Sequence, residues 1–214
     1  MAIKAVVLDF DGVLVESNNI KHQAFSDIFS EFSDHYKEIM AYHFAHNAVN
    51  RYDKFEYIMK NILRQEYDRT LAKRWALRFS ELTRDKIINC PYVKGASDFV
   101  KHFSNKFPLY VASATPFDEL NLILNRRGIL QYFKGVYGAP TQKMKIFKDI
   151  AKKERVKPKN ILYIGDSLED YEVANDFGCT FIARTSDYDF KGIATKSFKN
   201  MSEIESYILS CLIK

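Results

Sequence analysis

Two aspartates near the start of the chain have the residue type and the spacing needed for chemistry. Asp9 and Asp11 follow the apolar run 6–8, are separated only by Phe10, and precede Gly12. In a β-strand, residues i and i+2 lie on the same face, so both carboxylates would point the same way. Such neighbours repel unless a cation, a proton or a phosphoryl group lies between them. The pair predicts a reactive site at a strand end, and the alternative is a polar strand end before a turn.

Two later segments add polar groups that could bind a phosphate. Ser113 follows the apolar run 109–112 and precedes Pro116. Its hydroxyl and the nearby backbone N–H groups could hold a phosphate, or Ser113 could simply cap a helix. Lys143 stands at the start of a predicted helix, where the positive end of the helix dipole disfavours a cation. A nearby carboxylate or phosphate would offset that cost.

The segment Gly165–Asp170 carries the remaining candidate residues. Asp166 and Asp170 are four residues apart, and a carboxylate pair of this kind suits Mg²⁺. Asp166 and Glu169 could instead form a capping box at the start of a helix. By itself, this segment favours neither a metal site nor a helix cap.

The elements predicted around these residues alternate between strands and helices. Short apolar runs predict strands, and amphipathic repeats predict helices between them. The strands are expected at 6–8, 109–112, 135–137, 161–164 and 180–183, and the helices near 117–127, 142–155 and 168–177. This alternation is typical of an α/β fold with a doubly wound parallel sheet, in which ligands bind outside the carboxyl ends of the strands.

A long helical insertion separates the first strand from the others. From Asn18 to about Asn89, apolar residues recur every three or four positions, without Gly or Pro. Because the insertion leaves the first strand at its carboxyl end, it can close over the predicted site. We therefore expect an α/β core domain over 1–15 and 90–214, and an all-α helical domain over 16–89.

Composition and charge exclude several classes of protein. The 214 residues carry a net charge of +5, and the basic residues are scattered rather than interleaved with aromatics as in a nucleic-acid groove. Cys90, Cys179 and Cys211 have unrelated spacings that indicate neither a zinc site nor a disulfide framework. There is no signal-peptide pattern and no apolar run near the ~20 residues that span a bilayer. We expect a soluble cytoplasmic protein, a monomer or loose homodimer, with no nucleic-acid or membrane partner.

Together, the polar segments resemble the four motifs of the haloacid dehalogenase (HAD) superfamily, and the likeness covers essentially the whole chain. Asp9–Leu14 matches its DxDG(T/V) motif, and Ser113 matches the hydroxyl of the second motif. Lys143 matches the third-motif lysine, and Gly165–Asp170 matches the GDSxxD motif. The insertion is similar to the helical cap of phosphoglycolate phosphatase and β-phosphoglucomutase-like members. The resemblance implies a Rossmann-like HAD core with a helical cap.

The resemblance also implies a Mg²⁺-dependent phosphatase that hydrolyses a small phosphorylated metabolite. Asp9 would attack phosphorus and form an aspartyl-phosphate, and Asp11 would protonate the leaving group and then activate water. The implied Mg²⁺ ligands are the Asp9 carboxylate, the Asp11 backbone carbonyl and Asp166, with Asp170 as a ligand or a supporting residue. The implied phosphate ligands are Ser113, Ala114 and Lys143.

Asp11 separates the reaction classes of the superfamily. Its dehalogenases and phosphonatases lack an aspartate at this position, so Asp11 favours the transfer of a phosphoryl group from an oxygen ester. The alternative is a β-phosphoglucomutase-like sugar phosphomutase. The cap histidine of those enzymes would align nearest Lys21, whereas the histidine of this chain is His22. We therefore favour hydrolysis and expect His22 to be a surface or packing residue.

Arg51 and Lys54 are the candidates for substrate selection in the cap. They lie three residues apart on one helix face and could reach a second anionic or hydroxylated part of the substrate. The alternative is a solvated basic face balanced by Asp53 and Glu56. The sequence leaves phosphoglycolate, nucleotides, sugar phosphates and precursors of surface carbohydrates as substrates.

Overall fold

The computed structural model describes residues 2–193 and 195–212. The sheet consists of β1 (Ala5–Leu8), β2 (Leu109–Pro116), β3 (Gly135–Ala139), β4 (Ile161–Gly165), β5 (Thr180–Arg184) and β6 (Lys196–Phe198). Its order is β3-β2-β1-β4-β5-β6, and neighbouring strands pair in parallel. The first strand along the chain therefore lies in the middle of the sheet, and this α/β arrangement confirms the predicted fold class.

The helices divide into an inserted group and a group that covers the sheet. The inserted helices are α1 (Asn18–Phe29), α2 (Tyr36–Ala45), α3 (Arg51–Tyr57) and α4 (Arg69–Asn89), with a π-helical turn at Ile58–Ile62 after α3. The others are α5 (Ala96–Ser104), α6 (Phe117–Arg126), α7 (Lys143–Glu154), α8 (Leu168–Phe177) and α9 (Met201–Leu212). No helix among the described residues is long and apolar enough to cross a membrane.

The central strand is buried on both faces, which explains its continuous apolar run. Val6 and Leu8 pack in the layer formed with α5, α6 and α9, whereas Ala5 and Val7 pack in the layer formed with α7 and α8. Alternation of side chains along the strand sends neighbouring residues into opposite layers. The carboxyl end of β1 is therefore held rigidly at the middle of the sheet edge.

The predicted strands are confirmed, and the ends of several lie further along the chain. β2 continues to Pro116, so Ser113 lies inside a strand, and Pro116 is the residue that precedes α6. The interpretation of Ser113 as a helix cap is therefore wrong. The apolar runs do not predict α5, β6 or α9. β6 is an edge strand of only three residues with Lys196 and Ser197 exposed, too short to produce a recognisable pattern.

The inserted helices have a hydrophobic core of their own. Aromatic residues dominate it, among them Phe25, Phe29, Phe55, Trp75 and Phe79. This cluster is separate from the two layers that cover the sheet. The helical cap is thus confirmed as part of the fold, while the exact domain bounds 1–15, 16–89 and 90–214 stay a prediction.

Candidate active site

The four polar segments meet at the carboxyl edge of the sheet, beneath the cap. Asp9 and Asp11 follow β1, Ser113 lies near the end of β2, and Asp166 follows β4. These residues line a cavity of about 60 Å³, whose opposite wall is formed by the cap. A cavity of this size has room for only a few water molecules. The cap is therefore closed over the sheet edge in this structure.

Asp9 is buried and held from two directions. The backbone N–H of Phe10 donates to its Oδ1 at 2.6 Å, and the Lys143 ammonium donates to its Oδ2 at 2.7 Å. Burial raises the pKa of Asp9 to about 7; Lys143 lowers this pKa and the Asp170 carboxylate raises it. The Asp9 carboxylate is thus fixed in position, but its charge is not fully compensated.

Asp11 has a different set of partners. Ser17 donates to its Oδ1 at 2.6 Å, and Thr115 donates to its Oδ2 at 3.0 Å. The Lys21 ammonium, which belongs to the cap helix α1, forms an ion pair with the same carboxylate. Burial would raise the pKa of Asp11, but Lys21 and the two hydroxyls outweigh it, and the pKa lies below its ordinary value. The two aspartates that the sequence places side by side are therefore electrostatically unequal.

Three carboxylates form a compact acidic cluster. Oxygens of Asp9, Asp166 and Asp170 all lie within 4.8 Å of one another. Asn18 and Ser186 donate to Asp166 at 3.0 and 2.5 Å. Burial, followed by the charges of Asp9 and Asp170, raises the pKa of Asp166 to about 8. Buried, mutually repelling hard oxygen ligands of this kind fit a Mg²⁺ ion, whose charge would remove the repulsion.

Lys143 joins two members of this cluster. It is the first residue of α7, and its ammonium forms ion pairs with Asp9 and Asp170. Burial would lower the pKa of Lys143, but the two carboxylates raise it well above its ordinary value. This confirms the expectation that an anion offsets the cost of a lysine at a helix start.

The Asp170 carboxylate accepts hydrogen bonds from several neighbouring side chains. It is the third residue of α8 and forms a capping box with Ser167, which donates to it at 2.8 Å. The capping box predicted between Asp166 and Glu169 is therefore wrong, because α8 begins one residue later. Tyr163 and Lys143 also donate to Asp170.

Gly12 allows the first motif to approach the acidic cluster. Its φ is +69°, and a Cβ at this position would lie 1.9 Å from Oδ2 of Asp166. Arg184, from the end of β5, donates to the Gly12 carbonyl at 3.0 Å and to the Glu16 carboxylate at 2.6 Å. The turn after β1 is thus built for close contact with the residue that follows β4.

Ser113 and Ala114 lie on the wall of the cavity, as expected for phosphate ligands. The Ser113 hydroxyl accepts the backbone N–H of Thr115 at 3.1 Å and lies 3.5 Å from Oδ2 of Asp11. Lys143 lies beside the same cavity, because its ammonium forms an ion pair with Asp9. The structure therefore brings together all the core residues that the sequence singled out.

On the cap side, the ring of His22 packs against His43 and Phe44, as expected for a packing residue. His22 also lines the cavity, and its two ring nitrogens lie 2.9 Å from Nε2 of His43 and 2.9 Å from Oδ2 of Asp187. Lys21, where a mutase-like cap histidine would align, instead contacts Asp11 and Thr115.

Arg51 and Lys54 are buried, so their interpretation as a solvated basic face is wrong. Arg51 donates to Ser80 at 2.6 Å and forms an ion pair with Glu119 of α6 at 3.1 Å, which ties the cap to the core. Lys54 lies 3.2 Å from Nδ1 of His43. Asp53 and Glu56, the expected charge partners, contact Asn50 and Lys60 instead.

Several residues of the site lie outside the sequence predictions. They are Asn18, Lys21, Thr115, Ser186 and Arg184. Two signals could have found some of them. Thr115 shares a strand face with Ser113 by the i, i+2 rule. Ser186 follows β5, and the carboxyl ends of all parallel strands lie at the ligand-binding edge.

The sequence matches the family model of haloacid dehalogenase-like hydrolases over residues 6–184. A predicted phosphoglycolate phosphatase of Haemophilus somnus 129pt has a similar structure, with a TM-score of 0.77 and 16% identity over 97% of this chain and 99% of that one. The β-phosphoglucomutase of Clostridium difficile gives a TM-score of 0.73 and 16% identity over 99% and 100% of the two chains. A HAD-hydrolase of Bacillus subtilis bound to magnesium gives 0.72 and 15% over 97% and 99%. No curated protein sequence matches this chain.

Proposed function

Since this chain belongs to the haloacid dehalogenase-like hydrolase family, we propose that it is a Mg²⁺-dependent phosphatase of small phosphomonoesters. The observation that carries this proposal is the different environment of the two neighbouring aspartates. Asp9 belongs to the acidic cluster and contacts Lys143, whereas Asp11 contacts hydroxyls and Lys21. Environments that differ in this way suit two carboxylates with different roles.

Asp9 is the nucleophile in this proposal. One carboxylate oxygen of Asp9 attacks phosphorus, the bond from phosphorus to the ester oxygen breaks, and an aspartyl-phosphate forms. The contacts of Asp9 with Phe10 and Lys143 support this role, because they hold the carboxylate in one orientation.

Asp11 is the general acid and base. It donates a proton to the leaving ester oxygen, then accepts a proton from the water that attacks the aspartyl-phosphate, which releases inorganic phosphate and frees Asp9. Lys21 and Thr115 fix the Asp11 carboxylate at the cavity wall, and the ion pair with Lys21 favours the ionised form that the base step needs.

The carboxylates of Asp9 and Asp166 and the backbone carbonyl of Asp11 would hold Mg²⁺. A bound Mg²⁺ would neutralise the carboxylates and screen the charge of the incoming phosphate. Asp170 is a further candidate ligand, and its contacts with Lys143, Tyr163 and Ser167 support a role in holding Lys143 toward Asp9.

The phosphoryl oxygens would be held by the Ser113 hydroxyl, the backbone N–H of Ala114 and the Lys143 ammonium. Donors fixed in this way stabilise the charge that develops during transfer. Residues 16–89 would act as a cap domain that opens to admit the substrate, because the closed cavity holds about 60 Å³. Lys54 would face the part of the substrate that is not transferred, whereas Arg51, predicted to act with it, is held by Ser80 and Glu119.

Nothing at the start of the cap favours the mutase alternative. The position expected for the cap histidine holds Lys21, whose ammonium faces Asp11. Both ring nitrogens of His22 already have partners, His43 and Asp187. Hydrolysis is therefore the function that the site supports best.

The first prediction tests the nucleophile. Asp9→Asn should abolish hydrolysis of a panel of phosphate esters, because an amide cannot form the aspartyl-phosphate, and chelation of Mg²⁺ should abolish the activity of the unaltered chain. The matched control is Asp149→Asn, at an exposed position on α7, which should retain activity. Turnover by the Asp9→Asn variant, or activity that ignores chelation, would disprove the proposal.

A further inference from the structure

A row of four hydrogen-bonded side chains runs along the cap wall of the cavity and ends on the core. The Lys54 ammonium lies 3.2 Å from Nδ1 of His43. Nε2 of His43 lies 2.9 Å from Nδ1 of His22, and Nε2 of His22 lies 2.9 Å from the Asp187 carboxylate. The row contains residues of α3, α2 and α1 and of the segment after β5.

The chemistry of the end groups sets the direction of the hydrogen bonds. An ammonium only donates, so Nδ1 of His43 accepts from Lys54 and the proton of His43 sits on Nε2. That proton is donated to Nδ1 of His22, whose own proton on Nε2 is donated to the Asp187 carboxylate. Lys54 therefore faces an imidazole acceptor rather than a carboxylate.

Lys54 is the exception among the buried cations of the site. Lys21 pairs with Asp11, Arg51 pairs with Glu119, and Lys143 pairs with Asp9 and Asp170. Lys54 is only 3% exposed, lines the cavity, and forms no ion pair with a carboxylate in the part of the chain that the structure describes. Burial, assisted by the nearby charge of Lys21, lowers its pKa to about 7. A buried ammonium that lacks an anion costs free energy, and an anionic ligand would remove that cost.

We propose that Lys54 binds a second anionic group of the substrate, a carboxylate or a further phosphate, on the side of the cavity opposite the transferred phosphoryl group. This inference rests on the phosphatase activity proposed above and narrows its substrate class to small phosphomonoesters that carry two anionic groups. Arg51 takes no part in this contact, because Glu119 and Ser80 already occupy its guanidinium.

Glu169 of α8 is the competing partner for Lys54. Its charge raises the pKa of Lys54, and its Oε1 is buried without a hydrogen-bond partner. If the cap closed further, Lys54 could pair with Glu169 instead of with a substrate. The two explanations differ in what Glu169→Gln does, because only a pairing partner of Lys54 would reproduce the effect of removing Lys54.

The second prediction compares substrates that differ in one group. Phosphoglycolate is compared with 2-hydroxyethyl phosphate, and propane-1,3-diol bisphosphate with 3-hydroxypropyl phosphate, by measuring kcat/KM. The unaltered enzyme should prefer the doubly anionic member of at least one pair by about 10- to 100-fold, the range expected for a hydrogen bond to a charged group. The pair that shows the preference identifies the second group as a carboxylate or a phosphate.

In Lys54→Met, which keeps the length and burial of the side chain, this preference should disappear, because kcat/KM for the doubly anionic ester falls toward the value for the neutral ester. A Tm close to that of the unaltered protein shows that the variant is folded. Glu169→Gln should retain the preference. The inference is overturned if the unaltered enzyme shows no preference, if Lys54→Met retains it, or if Glu169→Gln loses it equally. Failure to hydrolyse any of the four esters, in contrast, would count against the phosphatase proposal itself.

Discussion

At the residue scale, the partners of Asp11 explain how two adjacent carboxylates can differ in chemistry. Asp9 and Asp11 lie on the same edge of the sheet, yet burial raises the pKa of Asp9 to about 7, whereas the pKa of Asp11 lies below its ordinary value. Each carboxylate pairs with one ammonium, Lys143 for Asp9 and Lys21 for Asp11. Asp9 also faces the Asp170 carboxylate, which raises its pKa, whereas Asp11 accepts hydrogen bonds from two hydroxyls, which lower its pKa. Lys21 belongs to the cap, so the position of the cap sets the protonation of the proposed acid and base.

The third prediction follows from this ion pair. In Lys21→Met the pKa of Asp11 should rise, because an opposite charge in direct contact lowers a carboxyl pKa by about 1–3 units. The proposed first step needs protonated Asp11, so the alkaline limb of the kcat/KM profile should move to higher pH by about one unit or more. Lys145→Met, which changes an exposed lysine of α7, should leave the profile unchanged. An alkaline limb that stays in place in Lys21→Met would contradict the role of Lys21.

At the scale of elements, the turn between β1 and α1 joins the middle of the sheet to the cap. Gly12 adopts a left-handed conformation and leaves no room for a side chain beside Asp166. Arg184 stabilises the same turn by donating hydrogen bonds to the Gly12 carbonyl and to the Glu16 carboxylate. The turn therefore positions both aspartates of the first motif beside Asp166, the metal ligand proposed directly after β4.

The fourth prediction separates the two demands on Gly12. Gly12→Ala should cost about 1–2 kcal/mol for the positive φ, together with the cost of displacing Asp166. Gly128→Ala is the matched control, because Gly128 has the same φ of +69° and no heavy atom within 4 Å of the added Cβ. Unfolding in urea should show a larger loss for Gly12→Ala than for Gly128→Ala. Equal losses would mean that the contact with Asp166 is unimportant.

At the scale of the whole molecule, the buried charges of the site tie stability to pH. The raised pKa values of Asp9 and Asp166 mean that the folded chain holds these protons more tightly than the unfolded chain. Without metal, both groups therefore lower the stability as pH rises from about 4 toward about 7 and 8. His43 opposes this trend below its ordinary pKa of 6.5, and Lys54 opposes it above about 7, because burial lowers the pKa of both.

The fifth prediction uses Mg²⁺ to isolate the carboxylates from these opposing groups. Bound Mg²⁺ must displace the protons of Asp9 and Asp166, so the rise in Tm on adding Mg²⁺ should be larger at pH 8 than at pH 5.5. In Asp166→Asn the rise should shrink and lose most of its pH dependence. The exposed Asp149→Asn should behave like the unaltered protein. A Mg²⁺ effect that is equal at both pH values would argue against a metal site at Asp9 and Asp166.

The doubly wound core, the helical cap and the meeting of the core candidate residues at one sheet edge could all be predicted from the amino-acid sequence. Each of these leaves a local pattern: the apolar run before Asp9, the helical repeat of the insertion, and polar residues placed directly after strands. The start of α8 was not predicted correctly from the local sequence. The N-cap is Ser167, one residue later than the pattern of Asp166 and Glu169 suggests. Spacing along the chain limits a helix start only to within a residue or two.

The charges that meet across the boundary between cap and core could not be predicted from the sequence, because they depend on tertiary packing. Lys21 and Asp11, and Arg51 and Glu119, each pair a cap residue with a core residue. The hydrogen bond between His22 and Asp187 also joins the cap to the core. The spacing of these residues along the sequence does not predict the contacts, because they depend on how the cap packs over the sheet edge. The same packing leaves Lys54 buried without a carboxylate, and so distinguishes it from Arg51, its neighbour on the same helix. Local patterns determine the elements, whereas the pairing of charges is decided by the distances that folding creates.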